Sequence, residues 1–452
     1  MLYASGADLQ SANPLVTVHP LARQVQKYVL LTTLVRYDAA LQPQPYLARR
    51  WEWSPDRHRL TFHLVQELRW HDGHPTTAQD VVWTLAAARD SVTGYPRWND
   101  LREIQAVRAR DDSTVEIEFR SPVPGAVIPD VLTDLAIVPV HLLGSVPHAR
   151  LRQAAWNEAP VGNGPFRFVA HEPHRRWVFE RNPDFPTSLG GPPPLQRFIV
   201  VVVDEPTSKL AALAAGELDF AGITPAHADF VRRDPALQVL DYPLIYPYGI
   251  VFNTRRAPFD DPAVRRAAAL AIDRREIVDG MLFGFGTPAD GPVPPGIPGA
   301  LPTETMPFAP DSARVLLHGR RPSFELLTVG SGEAALEQML QARLGAVGFR
   351  VTIRQLELAA YLDRVQGPRH DFAAAVMGVP GDLGLGYLAP LARDAGVAVP
   401  EDPAAAQRVF AALLPVAWLY HGRGVQGMNR RVQGVTMDMR GELVTVAHWR
   451  VP

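Results

Sequence analysis

The chain has 452 residues, too many for one hydrophobic core, so two or more packed units are expected. Its apolar share of 47% is that of an ordinary globular protein, and no run of about 18 apolar residues is present to span a bilayer as a helix. A net charge of −2 without a basic block argues against a nucleic-acid surface, and the absence of Cys excludes disulfides, thiolate catalysis and Cys-ligated zinc.

The opening MLYASGADLQ lacks the basic and apolar halves of a signal peptide. Either the chain is cytosolic or a targeting segment is missing from this sequence. Basic residues are almost all Arg, with Lys only at Lys27 and Lys209, which we read as genomic base composition. The 43 prolines imply many ordered loops between short elements. No fixed-period repeat and no low-complexity linker is visible.

Leu60-Thr61-Phe62-His63-Leu64 alternates as a strand and leads into the turn Arg69 to Pro75, rich in Asp, Gly and Pro. Thr77, three residues before Asp80 at the head of an apolar run, is a capping-box pattern for a helix to about Ala88. Thr114 to Phe119 alternates as a second strand. Phe198 to Val203 is a continuous β-branched run, expected as a strand buried on both faces. A helix from Thr207 to Ala215, stopped by Gly216, and a strand from Leu218 to Ala221 complete a parallel crossover. Asp261 before Pro262 opens a helix through Leu270. A second crossover follows, with a strand Phe324 to Val329, a helix Glu333 to Val347 ended by Gly348, and a strand Arg350 to Leu356. Two α/β cores are therefore expected.

Several segments resemble, in order, the family-5 solute-binding proteins. Leu34-Val35-Arg36-Tyr37-Asp38 and Pro45 to Glu52 match "L-v-x-y-D … P-x-L-A-x-x-W". Phe62 to Asp80 carries "F-h-D-G-x-P-x-T-A-x-D-V". Gly162-Asn163-Gly164-Pro165-Phe166 and Arg181-Asn182-Pro183-Asp184-Phe185 match "G-T-G-P-Y … R-N-P-x-Y". Leu213 to Asp219, Phe252-Asn253-Thr254, Pro258 to Asp261, Val264 to Ala267 and Leu414 to His421 continue the series over most of the chain. The sequence departs after Met377-Gly378, where the family's "W-x-x-D-x-x-D-P" is replaced by Val379-Pro380-Gly381-Asp382-Leu383, and Ala389 to Gln407 reads as shortened.

The resemblance implies an α/β, two-lobed periplasmic-binding-protein fold (class II, cluster C type) with a hinge. Lobe one is expected at 1–245 plus 422–452, with an inserted subdomain at about 36–160, and lobe two at 246–421. It also implies an ABC-importer receptor, periplasmic or a cell-surface lipoprotein, that closes on a peptide or other small solute and delivers it to permease subunits. A monomer with no cofactor and no nucleic-acid partner is expected. By position in the family, the ligand residues are Gln10, Ser11 and Asn13 after the first strand, Tyr246 and Tyr248 at the crossover, and Asp382 in lobe two. In peptide-binding relatives an acid at the place of Asp382 pairs with the ligand's ammonium. Ala334 and Ala335 stand where dipeptide receptors place an Arg for the ligand carboxylate. A cationic or amino-ended solute without a strict carboxylate anchor is therefore expected.

Each of these residues also has a plain structural reading. Tyr246 and Tyr248 could pack between lobes, and Asp382, after Gly381, could shape a turn. His71-Asp72-Gly73-His74 reads as a turn and not a metal site, because no third ligand is evident. Gly284-Phe285-Gly286 does not open a helix after a strand, and Gly330-Ser331-Gly332 lacks nucleophile-elbow spacing, with Ser331 the better N-cap. No acid–base pair stands out, so hydrolysis is the weaker reading and no catalytic residue is assigned. A periplasmic sensor or chaperone-like binder on the same scaffold is the other alternative.

Overall fold

The computed structural model describes all residues except 18, 124, 126, 290, 302–305, 331, 367–369, 380, 382–384, 386, 387, 395 and 401. They fall into two compact units, Met1–Tyr242 with Val425–Pro452, and Pro243–Gly424. The long strands Leu237–Phe252 and Val416–Asn429 run through the two boundaries, so part of each belongs to each unit.

In the first unit the strand Leu2–Ser5 lies between Arg197–Val202 and Phe220–Gly222, parallel to both. The helix Pro206–Ala214 makes the crossover, and Glu205 caps it by accepting from the amides of Thr207 and Ser208. Arg176–Arg181 and Phe166–Glu172 extend the sheet antiparallel on one side. On the other, Phe220–Gly222 pairs with the end of Val416–Asn429, Ala221 opposite Gly427. The strand Arg197–Val202 is half-buried, not enclosed on both faces: Phe198 and Val200 point inward, while Ile199, Val201 and Val202 are partly solvated. Its β-branched run reflects strand propensity as much as burial.

A separate antiparallel sheet has the order Ala48–Trp53, Arg59–Leu64, Thr114–Phe119, Ile104–Asp111. Packed on it, the helix Ala78–Arg89 starts with the capping box of Thr77 and Asp80. The buried Asp80 carboxylate also accepts from Trp70 Nε1 at 3.2 Å and from the Val140 amide at 2.9 Å. One acid thus ties a turn, a helix and a later segment together. Gly162 and Gly164 are required by close approach: a Cβ on them would fall 2.0 Å from the Leu30 carbonyl oxygen and 2.6 Å from its carbon. Between them the buried Asn163 accepts from Thr32 N at 2.9 Å.

In the second unit Ser323–Val329 lies between Arg350–Leu356 and Ala374–Gly378, parallel to both. Residues 248–252 of the long strand pair antiparallel with Ala374–Gly378, Tyr248 opposite Gly378. The helix Pro262–Leu270 begins with Asp261 accepting from Ala263 N at 2.8 Å. Its buried Arg265 donates to the carbonyls of Leu413 and Phe259, so that motif residue is architectural. Phe252 stacks on Phe259 at 4.3 Å, and Phe324 meets Phe259 edge-on at 4.8 Å. The second crossover helix is Ala335–Val347, two residues later than the sequence suggests; Ala334 is its N-cap, and Ser331 lies outside the described residues. The stretch read as shortened carries the helix Ala389–Asp394 and the start of Pro403–Leu413.

Each unit has its own core. Trp177, Phe198, Phe220 and Trp449 are central to the first, and Phe259, Leu326, Leu340 and Leu419 to the second.

Candidate functional site

In open α/β sheets, ligands bind beyond the carboxyl ends of the parallel strands. At that end of the first unit, the strand Leu2–Ser5 runs into the loop holding Gln10, Ser11 and Asn13. Asp8 organises this loop. It accepts from Trp177 Nε1 at 2.8 Å, from the His174 amide at 2.7 Å and from the Gln10 amide at 3.3 Å. Burial alone would raise its pKa, but the Trp177 and His174 donors, with His171 at 3.3 Å, outweigh it and hold the carboxyl down at about 2.

The three expected ligand residues do not stand alike. Asn13 is fully buried; its Oδ1 accepts from Leu15 N at 3.0 Å and its Nδ2 donates to Asn157 Oδ1 at 2.9 Å. Ser11 is buried and its hydroxyl accepts from Asn13 N at 3.0 Å. Both build the loop. Gln10 is exposed, with a left-handed backbone at φ 66° that sets where its side chain leaves the loop.

At the carboxyl ends of the second unit's strands the structure gathers four tyrosines. Tyr248 and Tyr420 stack at 5.2 Å and 10°, and Tyr246 tilts against Tyr248 at 6.4 Å. The Tyr246 ring rests on Gly378, which ends the strand Ala374–Gly378. Tyr361 donates its hydroxyl to Val376 O at 2.9 Å. Burial, with the nearby Glu337 charge, pushes the Tyr248 hydroxyl up to about 12 and raises those of Tyr361 and Tyr420 further. All four therefore stay neutral donors. Tyr246 is the most open of them.

Glu337 was not foreseen from the sequence. It is buried in the first turn of the helix Ala335–Val347, and Oε1 accepts from Thr328 Oγ1 at 2.6 Å. Among the described residues no Lys or Arg pairs with it. A signal was available: Glu337 lies on the same helical stripe as Leu340 and Leu344, where a carboxylate is out of place in a purely structural face. Asp382, expected just beyond Gly378, lies outside the described residues.

His71, weighed in the sequence as a metal ligand, is occupied by backbone. Its ring nitrogens meet Gly164 O at 3.0 Å and Gly162 N at 3.3 Å.

Residues 42–397 match the family model described as bacterial extracellular solute-binding proteins, family 5 Middle. A putative ABC transporter peptide-binding protein of Brucella ovis is 30% identical over 345 residues, 73% of this chain and 63% of that protein. The chain thus spans less than two thirds of the length of that curated relative. Among solved structures, the substrate-binding protein CtaP of Listeria monocytogenes superposes with a TM-score of 0.86 at 20% identity, covering 100% of this chain and 99% of the other. The oligopeptide-binding protein AppA of Bacillus subtilis, solved with a nonapeptide, gives 0.81 at 21% identity over 100% and 98%. These likenesses establish the two-lobed α/β binding-protein fold.

Proposed function

The chain belongs to the bacterial extracellular solute-binding proteins of family 5, and from that premise we propose that it is the extracytoplasmic receptor of an ABC importer, capturing a peptide or peptide-like solute for a permease. The observation that carries the solute class is the second unit's tyrosine wall beside the buried Glu337 carboxylate, which has no Lys or Arg partner among the described residues. Tyrosines offer an apolar face and a polar tip, which suits extended, chemically mixed solutes. Glu337 gains a charge-assisted hydrogen bond when an ammonium or guanidinium arrives.

Gln10, Tyr246, Tyr248 and Glu337 are assigned to solute contact, with Asp382 as a second acid for an amino end. Ser11 and Asn13 are assigned to shaping the loop that presents Gln10. With Ala334 and Ala335 at the head of the crossover helix, no guanidinium stands there for a peptide carboxylate. Solutes longer than a dipeptide, or amines without a carboxylate, fit this arrangement. A receptor of this kind needs only a solute that favours the closed state, and no acid–base pair.

Native mass spectrometry of protein purified without denaturation should release a solute bearing an amino or guanidino group. Calorimetry on stripped protein with tri- to nonapeptides should then show saturable binding. Retention of a neutral sugar, together with no response to any peptide, would refute the assignment.

A further inference from the structure

The fold brings a second imidazole to the His71-to-His74 turn. Asp72 Oδ2 lies 2.7 Å from Nε2 of His141, a residue 69 positions away, and Asp72 Oδ1 lies 3.3 Å from Nδ1 of His74. The His74 and His141 rings stack at 4.2 Å and 24°. One ligand atom from each of the three residues falls within 4.8 Å of the others, and all three are exposed. The sequence offered no third ligand because His141 reaches this turn only through tertiary structure.

The placement is built. Val140, beside His141, donates its amide to the buried Asp80, which also accepts from Trp70 Nε1, two residues before Asp72. Asp72 in turn accepts from the His74 amide at 3.3 Å, which bends the turn back over its own carboxylate. A single acid therefore faces two imidazoles held from two directions.

We propose that Asp72, His74 and His141 bind one divalent transition-metal ion of the zinc class. Two imidazoles and a carboxylate are the ligands such ions take in sites that keep a coordination position open for water. A metal lies in the plane of each imidazole it binds, so one of two stacked rings must turn. His74, with 60% of its side chain exposed, can do so without disturbing the core. The ion would clip the turn to the helix Val140–Leu143 within the first unit. This assignment is independent of the solute reading.

The test is calorimetry of untagged, chelator-treated protein with ZnCl2, supported by visible absorption with CoCl2. One Zn2+ per chain is expected, with affinity reduced at least about 10-fold in His74→Ala and in His141→Ala. The melting temperature of metal-free His74→Ala should match the wild type. His74→Ala carries the test even where His141→Ala perturbs the fold. No saturable binding to the wild type, or wild-type affinity in His74→Ala, would overturn the site.

Discussion

The Tyr246 ring lies so close over Gly378 that a Cβ on the glycine would fall 2.2 Å from its Cε1 and 2.5 Å from its hydroxyl oxygen. The glycine is therefore what allows the tyrosine to lie flat on the strand end. Because that ring is partly exposed, Gly378→Ala can be accommodated by swinging it outward. Stability should change by no more than about 1 kcal/mol. Solute affinity should drop by about tenfold, roughly 1.4 kcal/mol. Thermal melts paired with calorimetry separate the two effects, and unchanged affinity would remove Tyr246 from the solute contacts.

Glu337→Gln keeps an acceptor for Thr328 and discards only the charge. Losing one partner of a desolvated ion pair costs about 3–5 kcal/mol. Amino-ended solutes should therefore bind at least about 100-fold more weakly. An N-acetylated version of the same solute should lose little further on the variant. Equal binding of the free and acetylated solutes by the wild-type protein would contradict this.

His421 supplies a pH dependence. It is buried on the strand Val416–Asn429, neither ring nitrogen has a hydrogen-bond partner among the described residues, and burial holds its pKa down to about 4. Its unfolded value is about 6.5, so between these values the unfolded chain binds the extra proton and stability falls as pH falls. The loss begins below pH ~6.5, is complete near pH 4, and amounts to at most about 3 kcal/mol. His71, depressed to about 4 by burial but only partly enclosed, adds a smaller share in the same window. Urea midpoints at pH 7 and pH 5 should differ in the wild type and differ less in His421→Leu, where only the smaller His71 share remains.

Glu442 is a half-buried acid whose Oε2 accepts from Tyr3 at 2.6 Å, Tyr242 at 3.0 Å and Gln426 at 2.8 Å. Tyr242 is the last residue of the first unit before the chain leaves it, and Gln426 stands just after the return. Burial raises the Glu442 pKa despite these donors, so its carboxylate is costlier to hold here than in water. Glu442→Gln should preserve the fold and add stability at pH 8. Glu442→Leu should cost about 3 kcal/mol or more by stranding three donors. Chemical denaturation at pH 8 distinguishes them, and equal losses in both variants would show that the donors are satisfied elsewhere.

Local rules carried much of the fold. Thr77 with Asp80 and Asp261 with Pro262 announced helix starts that the structure keeps, because capping depends on a few neighbouring residues. The second crossover's Arg350–Leu356 was legible from alternation and the first crossover's Arg197–Val202 from its β-branched run, while Phe220–Gly222 starts two residues later than read. Glu337 escaped notice because an apolar-stripe reading discards polar residues, and its meaning depends on tyrosines from distant segments. His141 escaped for the same reason: its approach to Asp72 is set by the buried Asp80, not by spacing. Asn13 looked like a ligand residue from its place in the loop, yet its bond to Asn157 turns it inward.

The first unit is finished only by the chain's last segment. Trp449 stacks on Phe220 at 4.9 Å and 13°, and Glu442 closes over Tyr3. The second unit is continuous from Pro243 to Gly424. Chain order and folding order therefore diverge: the later unit is built from one contiguous segment, while the earlier one cannot close its core until residues 425–452 return to it. A chain cut after Gly424 would keep every residue of the second unit and leave Phe220 of the first without its Trp449 cover. Quality control would meet such a product as a chain half native and half open to proteolysis.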